Sequence, residues 1–232
     1  MWKVLREIVF PDVCPLCEGE LCASGERLCG ECLEKMPSLP ERRCPGCGGA
    51  NDGILSICQE CAGVEGGRPW TVAVSAFPFY GALREAVHKY KYRGRRQFSA
   101  FFAERMWEAW ERYGSTGIDA VTYIPLHFLR HLIRGYNQSE LLAEGLARHL
   151  KVPCASMLRR CRYTRPQASL NMEARLANLI GAYKLRDIRR FVGKRVLLVD
   201  DVFTTGTTLT VAAKMLLDAG IADVSVATVA RD

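Results

Sequence analysis

The chain has 232 residues, 49% of them hydrophobic, enough for one ample core or two modest ones and too apolar for a disordered chain. A formal net charge of +7 argues against a basic ligand and favours nucleic acid, an anionic surface or a phosphorylated small molecule. No run approaches the ~18 apolar residues of a membrane-spanning helix, so membrane insertion is not expected.

The first segment, MWKVLREIVFPDV, is interrupted by Arg6 and Glu7 before a signal-peptide core of useful length can form, and a cytoplasmic protein is expected. Eleven cysteines in such a chain argue for metal over disulfides, which persist mainly in oxidising compartments. Nine of them precede Gly63, in a stretch rich in Gly and Pro. Eight fall into four copies of one pattern, two thiols separated by two residues: Cys14/Cys17, Cys29/Cys32, Cys44/Cys47 and Cys58/Cys61, with gaps of eleven, eleven and ten residues between copies. A tight turn of this kind presents two thiolates to one tetrahedral ion, so two turns complete a closed site and two structural zinc ions are predicted. Iron–sulfur ligation is the chemical competitor. Pairing neighbouring turns, Cys14/Cys17 with Cys29/Cys32 and Cys44/Cys47 with Cys58/Cys61, closes shorter loops than a crossed arrangement and is favoured. Cys22, Cys154 and Cys161 lack such a neighbour and read as ordinary small residues.

The composition changes in EGGRP, residues 65–69, dividing a double zinc ribbon, residues 1–67, from an α/β domain, residues 68–232. Thr71–Phe77 reads as a strand. Leu83, Ala86, Val87 and Tyr90 then recur at helical spacing, and Phe102, Met106, Ala109, Trp110 and Tyr113 form the stripe of a second helix, as core aromatics and not a binding box. AVTYI, residues 120–124, is a buried strand ended by Pro125. Asn137 with Glu140 makes a capping-box start to a third helix, in which Leu142, Leu146, His149 and Leu150 share a face and Gly145 lowers the propensity. A short strand around Ala155–Leu158, the polar stretch YTRPQASLN and a helix bearing Leu176, Leu179 and Ile180 lead to RVLLVDDV, apolar on both faces like a central parallel strand. A helix from about Thr208 to Ala219, closed by Gly220, and a final strand DVSVATVA complete the domain.

The run VLLVDDVFTTGTTL, from Val196 to Leu209, carries the chemistry. Ligands of open α/β sheets bind beyond the carboxyl ends of the strands, where a helix N-terminus offers unpaired N–H groups. Gly206 permits a tight backbone path there, and the hydroxyls of Thr204, Thr205, Thr207 and Thr208 add donors around a small anion such as phosphate. Asp200 and Asp201 would repel that anion and must face hydroxyl groups or a magnesium ion carried by the ligand. A ribose phosphate has both ends. No Walker lysine follows the glycine and no G-x-G-x-x-G opens a helix, which excludes the commoner phosphate loops.

The same run resembles the signature of type I phosphoribosyltransferases. Together with IPLHFLRHLIRGYNQSELLA, RPQASL, RLANLIGAY and the turns CPGC and CQEC, it makes nearly the whole chain resemble the ComF family of competence-associated proteins. The resemblance implies a type I phosphoribosyltransferase-like fold with a central, mainly parallel sheet behind the zinc ribbons. It further implies that Asp200 and Asp201 hold the ribose hydroxyls of phosphoribosyl pyrophosphate, bound with magnesium, and that the threonine/glycine loop holds its 5-phosphate. Leu126 and His127, following Pro125, fall in the pyrophosphate loop, with Arg130 and Arg134 placed to neutralise the leaving group. Thr164–Asn171 occupies the place of a mobile loop. No segment resembles the hood that recognises a nucleobase in salvage members, so no acceptor is named.

Participation in DNA uptake is also implied, and KYKYRGRRQF interleaves Lys89, Lys91, Arg93, Arg95 and Arg96 with Tyr90, Tyr92 and Phe98, a composition suited to single-stranded nucleic acid. Arg159, Arg160, Arg162 and Arg165 form a second basic cluster. Two readings stand: a phosphoribosyl-transferring enzyme, and a non-catalytic single-stranded DNA-binding factor whose sugar-phosphate site is regulatory. The zinc ribbons offer a docking surface for proteins of the competence machinery.

Overall fold

A computed structural model describes residues 13–21, 25–162 and 181–232. Cys22, the loop Thr164–Asn171 with Arg165, and the expected helix carrying Leu176, Leu179 and Ile180 lie outside the described residues. Each half of the cysteine-rich segment is built in the same way. A hairpin turn supplies one thiol pair, closed by Cys14 N–H to Gly19 O at 2.8 Å in the first ribbon and by Cys44 N–H to Gly49 O at 2.8 Å in the second. A one-turn helix supplies the other pair: α1 (Gly30–Glu34) after Cys29 and α2 (Gln59–Ala62) after Cys58. Both leading cysteines have extended backbone, φ −68° and −67°, so the design is repeated closely.

The remainder is a four-stranded parallel sheet in the order β1-β6-β5-β2, formed by β1 (Ala73–Pro78), β2 (Ala120–Tyr123), β5 (Arg195–Phe203) and β6 (Asp223–Arg231). A parallel sheet is covered on both sides, and β5 shows how. Val196 and Leu198 join one buried cluster, Leu197 and Val199 the other, and all four are fully buried. Against the Leu197/Val199 face pack α3 (Gly81–Tyr92), α4 (Phe98–Tyr113) and α6 (Gln138–Leu150). Against the Val196/Leu198 face pack α7 (Thr207–Asp218) and an antiparallel pair, β3 (Leu158–Arg160) with β4 (Tyr183–Leu185).

The helices form where apolar residues recur at three- and four-residue intervals. Leu83, Ala86, Val87 and Tyr90 of α3 are buried, and so are Phe98, Phe101, Phe102, Met106 and Trp110 of α4, whose rings pack together, Phe98 on Phe102 at 5.3 Å and Tyr90 on Phe102 at 5.5 Å. The aromatics are core, as the periodicity predicts. Gly220, at φ 92°, follows the last turn of α7 as the expected left-handed residue.

Several details differ from expectation. Asn137 caps α6 by accepting Ser139 N–H at 3.2 Å, but Glu140 does not complete a capping box: its carboxylate accepts the Tyr123 hydroxyl at 2.6 Å, tying α6 to β2. His149 is exposed, off the buried face, and stacks on Trp107 at 5.5 Å. The strand expected at Ala155–Leu158 begins only at Leu158, because its pairing partner is β4, which carries too short an apolar signal to stand out. A further helix, α5 (Phe128–Arg134), has no buried residue and so left no core-facing periodicity to detect.

The second ribbon seats directly on the sheet. Pro45 O accepts Ala73 N–H at 2.7 Å, Gly46 O accepts Trp70 Nε1–H at 3.0 Å, and Ser75 O accepts from Arg43 at 2.8 Å. The bonds to Ala73 and Ser75 cap the β1 edge, which would otherwise present unpaired backbone groups, and the Trp70 bond anchors the ribbon beside it.

Candidate functional site

β5 positions the acidic pair because its apolar run ends at the carboxyl edge of the sheet. Alternation along the strand continues Leu197 and Val199 into Asp201, toward the face covered by α3. There Lys91, in the last turn of α3, meets the Asp201 carboxylate at 2.9 Å, with 20% and 15% of the two side chains exposed. Asp200 Oδ1 accepts the Ser139 hydroxyl at 2.9 Å and the Asp201 backbone N–H at 2.9 Å. Burial pushes the Asp200 carboxyl up to about 7, with the neighbouring Asp201 charge adding to the rise and the Ser139 and backbone hydrogen bonds opposing it.

These side chains open on a cavity of about 600 Å³. Its floor is Asp200, Asp201 and Ser139; Lys91, Arg130, Arg134 and Arg160 bring four cationic side chains to its walls, and Pro125, Leu126 and Thr208 close it. The balance is cationic: four basic groups face two carboxyl groups, of which Asp200 is held mostly uncharged below neutral pH. A multiply anionic ligand with hydroxyl groups suits such a chamber. The Tyr183 ring lies 5.4 Å from the Arg160 guanidinium, its hydroxyl buried and without a hydrogen-bond partner among the described residues, and burial pushes its phenol up to about 12.

The turn from β5 to α7 is tight. Gly206 has φ 76° and is the N-cap of α7. A Cβ added there would stand 2.7 Å from Phe203 Cζ and 2.8 Å from an Arg68 nitrogen, so only glycine fits. Thr205 and Thr207 bond to each other through their hydroxyls at 2.8 Å, Arg68 donates to Thr205 O at 3.0 Å, and Thr204 is exposed. Of the loop, Thr208 alone lines the cavity itself. Leu126, Arg130 and Arg134 also reach it, whereas His127 caps α5, its Nδ1 accepting Leu129 N–H at 3.3 Å.

The basic run 89–98 is divided in its engagements. Lys89 pairs with Glu85 at 2.9 Å, Arg95 with Glu18, and Arg96 donates to Gly135 O at 2.8 Å while lying 4.6 Å above the Tyr136 ring. Lys91 belongs to the acidic pair. What stands outward is Arg93 together with Tyr92, 60% exposed beneath the Arg134 guanidinium at 4.7 Å. Sequence reasoning placed Lys91, and Arg160 in a second basic cluster, with nucleic acid, and missed Ser139. Their partners lie far along the chain, and no local pattern announces a contact of that kind.

The two cysteine clusters test the zinc expectation geometrically. Four thiolates around one tetrahedral ion at Zn–S of about 2.3 Å lie roughly 3.8 Å apart. Cys17 and Cys29 Sγ are 3.6 Å apart and Cys47 and Cys58 Sγ 3.7 Å, and within each set of four the sulfurs all lie within 4.8 Å of one another. The sets are Cys14, Cys17, Cys29, Cys32 and Cys44, Cys47, Cys58, Cys61, so neighbouring turns pair, and two structural zinc sites fit. The acidic pair fits a resident divalent ion less well, since Lys91 already holds Asp201 and Ser139 holds Asp200.

The profile of a double zinc ribbon domain matches residues 5–63, and that of a phosphoribosyl transferase domain matches residues 137–232. Competence protein F of Haemophilus influenzae is 29% identical over 94% of this chain and 96% of its own length. DNA utilization protein YhgH of Salmonella typhi is 32% identical over the same shares, and competence protein ComFC of Bacillus subtilis 25% identical over 90% of each chain. Among solved structures, a hypothetical protein from Neisseria gonorrhoeae with bound ppGpp aligns over 57% of this chain and 66% of its own, with 18% identity and a TM-score of 0.38, a likeness too slight to build on.

Proposed function

The chain belongs to the ComF family of competence and DNA-utilization proteins, and from that premise we propose that its cavity binds phosphoribosyl pyrophosphate or a related ribose phosphate in the service of DNA uptake. One observation carries the reading: a diacidic strand end, Thr208 in the first turn of the glycine-capped α7 and a wall of four basic side chains converge on one chamber. The Asp201 and Asp200 carboxyl groups are suited to the ribose diol, the N-terminus of α7 with Thr205, Thr207 and Thr208 to the 5-phosphate, and Arg130 and Arg134 to a diphosphate.

If the ligand reacts, the chemistry is displacement of pyrophosphate from the anomeric carbon by a nucleophile. The bond from that carbon to the diphosphate oxygen breaks as the bond to the nucleophile forms, and the departing charge falls to the arginines. Positioning and charge stabilisation would carry the rate, with no covalent enzyme intermediate. Magnesium enters with the diphosphate, as part of the substrate.

Calorimetric titration with phosphoribosyl pyrophosphate and magnesium, paired with pyrophosphate release across a panel of nucleobases and amines, tests this. Binding abolished by Asp201→Asn supports the site. Turnover that depends on Asp200 and Asp201 supports an enzyme, and binding without turnover supports a regulatory site. Absence of binding overturns both.

A second reading, contact with single-stranded DNA, is favoured by the exposed Tyr92, which lines the cavity beneath the Arg134 guanidinium, and by its exposed neighbour Arg93. Affinity that falls steeply with salt and drops when Tyr92 and Arg93 become alanine is expected; a flat salt response excludes it.

A further inference from the structure

We propose that Lys91 is the built-in cation of the acidic pair, so that a ribose monophosphate binds this cavity without a divalent metal ion, magnesium accompanying only a ligand that carries a diphosphate. The proposal rests on the reading of the cavity as a ribose-phosphate site and adds to it the source of the positive charge at the carboxylates.

A diol-binding pair of carboxylates brought together at a strand end needs a counter-charge. A divalent ion supplies one in hard-oxygen sites, where it requires carboxylate oxygens facing it with room for several further oxygens or waters. Here the place in front of Asp201 is taken by an ammonium group at 2.9 Å. It is not a loose surface lysine. The last turn of α3 that bears it is fixed from both sides: the Tyr90 hydroxyl donates to Gln138 O at 2.8 Å, and the Tyr136 hydroxyl donates to Tyr90 O. Tyr90 is fully buried among the Phe98 and Phe102 rings, so the helix end cannot swing away without exposing core.

Charge count agrees. Asp200 accepts two hydrogen bonds at one oxygen, and burial favours its uncharged form, which lessens the negative charge that the Lys91 ammonium has to offset. A divalent ion added beside it would face Lys91 with Arg130, Arg134 and Arg160 around the same chamber. An ammonium also has three donors on a compact point charge, enough to keep Asp201 and still reach a ligand hydroxyl or phosphate oxygen. That lets it bridge carboxylate to ligand as a metal would.

The test uses the full zinc-loaded chain in buffer passed over a resin to remove free divalent ions, with no chelator, so the ribbons stay intact. Ribose 5-phosphate is titrated calorimetrically with magnesium present or omitted. The wild type is expected to bind with affinity unchanged within twofold. Lys91→Met is expected to bind at least tenfold more weakly without magnesium and to recover when millimolar magnesium is added, while Lys91→Arg keeps metal-free binding. Wild-type binding that weakens tenfold or more without magnesium overturns the proposal while leaving the ribose-phosphate reading intact, and so does Lys91→Met binding as the wild type does without magnesium. No binding by the wild type in either buffer overturns that reading, and the proposal with it. Should Lys91→Met not fold, magnesium alone decides: no change in wild-type melting temperature up to millimolar concentrations is expected, and a saturable rise overturns the proposal.

Discussion

The Ser139 hydroxyl donates to Asp200 Oδ1 at 2.9 Å, joining the first turn of α6 to the end of β5. Ser139 is buried, and its bond to Asp200 lies at the floor of the cavity. Ser139→Ala removes a donor that favours the ionised carboxyl, and the Asp200 titration is expected to move further above its value of about 7. Carboxyl carbon NMR across the neutral range reads that shift directly. The destabilisation is expected at about 1–3 kcal/mol, the cost of leaving a buried acceptor underpartnered.

Asp200 also sets a pH dependence whose sign follows from its raised value. The folded carboxyl titrates near 7 and the unfolded one near 3.8, so the folded state holds the proton more tightly. Its stabilising contribution is complete below the unfolded value and declines until pH passes about 7, by roughly 4 kcal/mol as an upper bound. Asp200→Asn never ionises and escapes the decline. The melting temperature of the variant minus that of the wild type should therefore rise from about pH 5 to about pH 8 and level off above. Taking the difference at each pH cancels the acid sensitivity of the cysteine sites. A difference independent of pH contradicts the assignment.

Much of this was legible from residue order because its cause is local. The parallel strand at Arg195–Phe203 announces itself by a run that is apolar on both faces, the one at Ala73–Pro78 lies within two residues of the expected Thr71–Phe77, α3 and α4 are marked by stripes that reach the core, and the ribbons by thiol spacing alone. What stayed hidden has its cause elsewhere in the chain. Residues Phe128–Arg134 form a helix with no residue in the core, and Phe128, Leu132 and Ile133 are 66%, 61% and 86% exposed, so apolar periodicity said nothing of it. Glu140 looks like a capping residue until Tyr123 of β2 arrives beside it. Lys91 sits in a basic run and reads as part of a nucleic-acid face, because nothing near it in sequence names Asp201 as its partner.

The ribbons carry a prediction about the sheet. Two zinc ions per chain are expected by native mass spectrometry, and Cys61→Ser should reduce the count to one. Because Pro45 and Gly46 of the second ribbon accept bonds from Ala73 and Trp70, loss of that ion should also free the β1 edge. Hydrogen exchange at the Ala73 amide is expected to accelerate, and the protein to aggregate more readily through the uncovered strand. Cys14→Ser, in the first ribbon, should lower the metal count equally and leave the Ala73 amide protected.

Gly206 ties the fold to the candidate site most tightly. At φ 76° an alanine is strained, and its Cβ would press on Phe203 and Arg68, which donates to Thr205 O. Gly206→Ala is expected to cost about 1–3 kcal/mol in stability and to weaken ribose 5-phosphate binding at least tenfold. Substitution of the exposed Gly66, at φ 72° with open space around it, pays only the backbone strain and should leave binding unchanged.

Gly145 settles a conflict between local and tertiary preference. Within α6 a glycine costs about 1 kcal/mol relative to alanine, and propensity alone favours replacing it. In the fold it is buried where α6 crosses α4, and a Cβ added there would overlap the Ala103 Cβ. Close helix approach therefore outweighs propensity, and Gly145→Ala is expected to destabilise by about 1–3 kcal/mol, the usual cost of overpacking. The partner identifies the cause. Ala103→Gly in the same chain removes the colliding methyl, so the double variant should be more stable than Gly145→Ala alone, even though glycine at residue 103 costs α4 some propensity. Denaturant unfolding of the four chains of this cycle gives the coupling energy. Additive effects, with no coupling between the two sites, contradict the packing explanation, because two residues that share one gap cannot change size independently.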